Sequence, residues 1–231
     1  MGLVYPSDGR HEAFPLHLVR LVSQSLPVGG FSYSRGLESA VQAGWVSDEA
    51  SAQDWILGLL QSSFAPLDGA LFCRMTSALA AGDSNGFLAA NAWLMAGRES
   101  REFQQEDRRM GARLLSLLVD LEVPSALANQ TARLSFCAAF ALAADHWNIS
   151  QVAALRGLMW VLVEGQVMAA IRLVPIGHTV GQRILISAVD AIDMASGMAR
   201  SIGDDEIGNL APALAMASAW HETQYSRLFQ S

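Results

Sequence analysis

The chain has 231 residues, 52% hydrophobic and 16% charged, with a formal net charge of −7. That is enough apolar sequence for a sizeable core in one large domain or two small ones, and it excludes a disordered chain. All fixed positive charge is arginine and lysine is absent, which excludes a Schiff-base enzyme and a Walker-type nucleotide site; no basic stripe is evident that would suit nucleic acid.

Residues 1–12 carry no apolar core behind positive charge, so they read as a frayed end rather than a signal segment. Phe14 to Gln24 has Leu16, Val19, Leu21 and Val22 at helical spacing, a short amphipathic helix. Pro27 ends what precedes it, and Gly29 and Gly30 supply a turn. Ser32 or Ser34 can accept the first free N–H groups of a helix that sets Leu37, Ala40 and Val41 on one side and Glu38 and Gln42 on the other, ending at Gly44. The elbow places Phe31 and Tyr33 beside a helix start, and packing alone would account for both aromatics. It is not a nucleophile elbow, because Ser34 stands where G-x-S-x-G needs its second glycine.

Ser47 is the expected cap of a helix carrying Trp55, Ile56, Leu59 and Leu60, and Pro66 the expected start of the next, with Leu67, Leu71, Met75 and Leu79 on one face. A turn at Gly82-Asp83-Ser84 leads to a helix through Phe87 and Leu94. Arg98 to Arg113 holds five arginines among Glu99, Glu102, Glu106 and Asp107, while Phe103, Met110, Leu114 and Leu117 keep a helical period. Pairs such as Arg98–Glu102 would lace a solvated helix; the alternative is a polar face aimed at a charged partner. Pro124 ends it. Ala132 to Ala144 is apolar nearly all round, the central buried helix, and Val152 to Ile171 buries Glu164, for which an arginine partner is expected. Thr179 to Arg200 and a helix opened by Pro212 complete the chain, separated by an exposed acidic turn, Asp204-Asp205-Glu206. No run alternates as a strand would. The expected fold is all-α: a single domain over 1–231, a helical bundle of about nine to ten helices.

The strongest apolar runs, Phe136–Ala144 and Gly157–Val163, are too short to span a membrane. The surplus apolar content points instead to oligomer or partner interfaces. Cys73 and Cys137 read as free buried thiols in a cytoplasmic protein. The five histidines show no metal-ligand spacing, and His221-Glu222-Thr223-Gln224-Tyr225 lacks the second histidine of a zinc protease helix. The tail is unusual in its anchors: Trp220, Tyr225, Arg227, Leu228 and Phe229 are interface residues.

Four segments, LPVGGFSYSRGLESAVQAGWV, RESREFQQEDRRMGARLL, LVPIGHTVGQRIL and HETQYSRLF, run in this order between about Leu16 and Phe229. Together they resemble the UreF family of urease accessory proteins. The resemblance implies an all-helical, non-catalytic chaperone. It would sit between a second accessory protein (UreD, or UreH in some species) and the GTPase UreG, as a homodimer, while nickel is delivered to apo-urease. Nickel and GTP would be bound by partners, with no cofactor on this chain. It further implies a partner-binding tail, residues 221–231, with the elbow tyrosine and tail arginine falling on Tyr33 and Arg227 close together. The expected partner-binding set is Tyr33, Glu38, Arg101, Glu102, Arg108, His221, Glu222, Gln224, Tyr225, Arg227, Leu228 and Phe229. An arginine donated in trans to the GTPase is the alternative function, and an unrelated all-α hydrolase a remote one.

Overall fold

The computed structural model describes residues 15–231, so the expected frayed segment and Phe14 lie outside the described residues. The helices are α1 Leu16–Val22, α2 Leu37–Gln42, α3 Glu49–Leu59, α4 Ala70–Ala80, α5 Ser84–Ala96, α6 Arg101–Asp120, α7 Pro124–Ala128, α8 Phe136–His146, α9 Gln151–Leu173, α10 His178–Ser201 and α11 Pro212–His221. α3 and α4 belong to one 32-residue helix, Glu49–Ala80, joined through the π-helical stretch Leu60–Gly69. Ten separate helices result, with no strand among the described residues.

Side-chain caps start most of the longer helices. The cap of α3 is Asp48 rather than the expected Ser47: its Oδ1 accepts the Ser51 N–H at 2.9 Å while Ser51 Oγ accepts the Asp48 N–H at 3.1 Å. Ser100, Ser135 and Ser150 accept first-turn N–H groups of α6, α8 and α9.

Pro66 does not start a helix; it lies inside one. A proline normally breaks a helix by leaving a carbonyl without its donor. Here the Ser62 carbonyl, four residues before the proline, accepts the Leu210 N–H at 2.9 Å, and the Pro66 carbonyl accepts the Gly208 N–H at 3.3 Å. The wide π turn together with a distant strip of backbone accommodates the ring.

α8 is the centre. Phe136 to Ala144 are all buried, and the helix packs on α4, α5, α6, α7 and α9. Phe140 meets Phe136 and Phe72 with ring centroids 5.9 and 6.2 Å apart. α6 crosses the strand of chain entering α8 so closely that a Cβ on Gly111 would lie 2.1 Å from the Leu134 carbonyl oxygen, which only glycine permits. α9 packs on α10, α1, α2 and α3. Glu49–Ala80 and Gln151–Leu173 are long and apolar enough to cross a membrane by length and composition, but 72% and 61% of their apolar windows are buried in this bundle, so they serve as its core.

One ionic node is sealed inside. Arg98 is not paired with Glu102 as expected, since it precedes α6 and turns inward. Its Nη1 and Nη2 donate to Asp68 at 3.0 and 2.6 Å, and its Nε donates to Asp107 at 2.9 Å. Asp107 also accepts the first N–H of α8, from Phe136, at 2.8 Å. The node therefore bolts the π stretch, α6 and α8 together. Burial alone would raise the Asp68 carboxyl, but the Arg98 guanidinium outweighs it and holds the group below its ordinary range. Among the described residues Glu164 has no arginine partner. It is half-buried, and desolvation pushes its carboxyl up, against hydrogen bonding from Gln24 and Trp160.

Candidate partner-binding site

The last eleven residues fold back across the elbow and α6. Their anchor is Glu38, the second residue of α2, expected on the polar side of that helix and in fact only 5% exposed. Its carboxylate accepts the Leu228 N–H at 2.7 Å and the Phe229 N–H at 2.9 Å. A carboxylate in the first turn of a helix is also favoured by the helix dipole.

His221 ends α11 fully buried. Its Nδ1 lies 2.6 Å from Glu102 Oε2 and its Nε2 3.3 Å from Glu38 Oε2. The ring thus ties the first turn of α6 to the first turn of α2. Arg227 closes the loop: its Nη1 donates to Glu102 Oε1 at 2.5 Å, and its Nε and Nη2 donate to the carbonyls of Gln224 and Glu222. Glu222 in turn accepts the Arg101 main-chain N–H at 3.0 Å, and Ser39 Oγ donates to Gln224 Oε1.

The last residues pair with the elbow. Gln230 N–H donates to the Ser32 carbonyl at 2.9 Å, and the N–H and hydroxyl of Ser34 both donate to Ser231 O. Ser231 Oγ donates to Glu106 Oε2 at 2.6 Å, and Arg35 Nε donates to the other oxygen of the same carboxylate, also at 2.6 Å. The elbow backbone is built for this. Gly29 and Gly36 have φ of +74° and +78°, and Arg35 adopts +50°, a conformation its buried bond to Glu106 holds. Of the two serines expected to cap α2, Ser34 does accept the Glu38 N–H, at 3.3 Å, although Gly36 occupies the cap position itself.

Phe229 is inserted into the protein at 4% exposure, with the Arg172 guanidinium carbon 4.6 Å from its ring centroid. Tyr225 is fully exposed and Leu228 and Trp220 are 54% and 44% exposed, with the Trp220 ring tilted at 51° against Trp45, centroids 5.0 Å apart. The tail is held by polar and backbone contacts while its apolar side chains, Phe229 apart, point out.

Most of the expected site residues converge here: Glu38, Glu102, His221, Glu222, Gln224, Arg227, Leu228 and Phe229, with the backbone of Arg101. Two do not. Arg108 lies on the outer side of α6. Tyr33 is 5% exposed and lines a cavity of about 350 Å³ with Leu21, Met110, Phe136 and Phe229. The expected contact between Tyr33 and Arg227 is absent, because Tyr33 points into the core and the guanidinium is committed to Glu102 and two carbonyls. Sequence reading missed Ser34, Ser39 and Glu106. Glu106 was legible in principle, since it lies one turn after Glu102 on a helix whose apolar stripe it borders.

Among the described residues, no three His, Cys, Asp or Glu side chains converge as a ligand set for a metal ion.

A family model described as UreF matches residues 46–189. Urease accessory protein UreF 2 of Brucella anthropi is 61% identical over 217 residues, covering 94% of this chain and 96% of its own. The UreF proteins of Alkalilimnicola ehrlichii and Chromohalobacter salexigens are each 39% identical, covering 93% of this chain and 94% and 93% of theirs. The chain belongs to the UreF family. As a UreF-family protein it is a urease accessory protein of all-α fold. The elbow up to Trp45 and the tail lie outside the stretch matched by the family model.

Proposed function

We propose that this chain is a non-enzymatic scaffold in urease maturation, working in the cytoplasm. In this reading it bridges a UreD/UreH-type accessory protein and the GTPase UreG while nickel passes to apo-urease, and the partners bind the nickel and the GTP. The observation that carries the reading is the tail. A chain segment held in one pose by Glu38, Glu102 and Glu106, yet turning Trp220, Tyr225 and Leu228 to solvent, has the make-up of a presented epitope rather than of a core element. A second copy would fit the outward apolar side of α10, where Ile186, Val189 and Met194 are 71%, 51% and 65% exposed.

The test is co-purification of the full chain, and of a form lacking residues 221–231, with the UreD-type protein and UreG. The reading expects the shortened form to lose the UreD-type protein and, with it, the GTPase. Arg227→Ala should weaken recruitment in the same direction. Retention of both partners by the shortened form would overturn it. Phosphate release by the GTPase, followed with and without this protein, separates scaffolding from an arginine donated in trans.

A further inference from the structure

α6 sorts its charges by side. Phe103, Met110, Leu114 and Leu118 face the core, and Glu106 and Asp107 go inward with them, at 2% and 1% exposure. Each finds its partners on another element: Arg35 and Ser231 for Glu106, Arg98 and the Phe136 N–H for Asp107. Glu102 is occupied by His221 and Arg227. The helix's own arginines receive none of these carboxylates. Arg101, Arg108, Arg109 and Arg113 are all exposed, and none has a carboxylate oxygen within ion-pair distance among the described residues.

At about 100° per residue these four side chains span roughly 140° of the helix circumference, with Gln105, Ala112 and Ser116 between them, over about 20 Å of axis. The sequence had shown no basic stripe because Glu102, Glu106 and Asp107 are interspersed with the four arginines. The fold makes one by turning the acids in. Such a concentration of positive charge is a local reversal on a chain of net charge −7.

The face runs into the tail and the elbow. Arg109 Nη1 donates to Gln230 Oε1 at 3.0 Å and Arg113 Nη1 donates to the Val28 carbonyl at 3.2 Å. Beyond them Phe31 and Leu228 are exposed at 77% and 54%.

We infer that the outward face of α6 docks a protein surface that carries a cluster of carboxylates. Guanidinium groups match carboxylates two bonds at a time, and arginine beside exposed phenylalanine and leucine, without lysine, is the composition of a protein interface. An extended polyanion such as nucleic acid would reach past the four arginines into the net negative charge of the rest of the molecule, which a local carboxylate cluster on a protein would not. Because Arg109 and Arg113 also brace the tail and the elbow, the docked partner would share side chains with the tail's own anchorage. The inference deepens the scaffold reading and rests on it, by giving one partner's surface a chemistry.

The experiment uses the full chain with Arg101→Gln and Arg108→Gln together; these two side chains hold neither tail nor elbow, so thermal unfolding should be unchanged. The probes are a glutamate-rich peptide, single-stranded DNA of matched length, phosphatidylglycerol vesicles and the co-purifying accessory partners. The expected result is peptide and partner binding that falls as salt is raised from about 50 to about 200 mM and is weakened about tenfold by the double variant. Arg156→Gln, which alters an exposed pair on another face, should change nothing. Equal binding by double variant and wild type overturns the inference, as does tighter binding of DNA or vesicles than of peptide. If loss of residues 221–231 abolishes co-purification while the double variant keeps both peptide and partners, the inference falls and the scaffold reading stands. If no partner co-purifies but the peptide binds and the double variant releases it, the reading falls and the charge assignment survives.

Discussion

Glu38 accepts the N–H of Phe229 at 2.9 Å, although the two residues are 191 positions apart. The same carboxylate faces His221 and takes the Leu228 N–H, so one side chain near the start of the fold fixes both ends of the tail. Glu38→Ala would strand these donors in a nearly dry site. The expected cost is about 2–3 kcal/mol, felt first in the tail. Hydrogen exchange of residues 222–231 should accelerate well before the exchange of α8 does.

Arg98 stands between Asp68 and Asp107, its side chain 6% exposed and theirs 1% each. Replacing it with methionine keeps volume but leaves two carboxylates uncompensated, which should cost about 3–5 kcal/mol in urea unfolding. Adding Asp68→Asn and Asp107→Asn to that variant should recover much of the loss, since what is costly is the unpaired charge rather than the missing pair.

The node also predicts an acid limb. Asp68 has a folded value below its unfolded one, after the desolvation that opposes this is outweighed by Arg98. The unfolded chain therefore takes up the proton first as pH drops. The stabilisation is complete above about pH 4, the ordinary aspartate range, and is lost as pH falls below it through the depressed folded value. Asp68→Asn should flatten stability against pH in that window, whatever it does to stability at neutral pH.

Burial pushes the Cys73 thiol up to about 11 and the Cys137 thiol well above its ordinary value. Neither supplies thiolate near neutrality, so a disulfide reagent should label neither in the native protein at pH 8. Both should label in urea, with the same midpoint as the loss of helix.

Gly165 sits inside α9, and apart from the helix's own backbone nothing lies within 4 Å of where its Cβ would be. Gly165→Ala should stabilise the helix by about 0.5–1 kcal/mol and raise the melting temperature by about 1–4 °C. Gly165 makes none of the hydrogen bonds that hold the tail, so the substitution should leave the tail's exchange unchanged.

Helices were legible wherever a local rule decided them. Leu67, Leu71 and Met75 kept their period straight through the structure, and the all-apolar segment around Phe140 became the centre. Chain-distant partners were not legible. Pro66 reads as a start until Leu210 is seen supplying a donor to Ser62. Glu38 reads as a surface residue until the tail covers it. Arg98 reads as one more charge in a charged run, because nothing local says that the chain turns it inward before α6 begins. The tail's importance was legible from composition. Its pose was not, since the expected Tyr33–Arg227 contact ignored a closer carboxylate at Glu102.

The π stretch Leu60–Gly69 makes this fold unequally tolerant of length changes. Taking one residue out of it either tightens the wide turns that seat the Pro66 ring or, if they stay wide, swings everything after the cut by roughly 100° about the axis. The Phe72 side of α4 would then leave Phe140 of α8, and Asp68 would leave Arg98. In-frame deletions of a single codon that a surface loop such as Gly82-Asp83 could absorb are thus barred in the middle of the longest helix, where an alignment with relatives should place no gap.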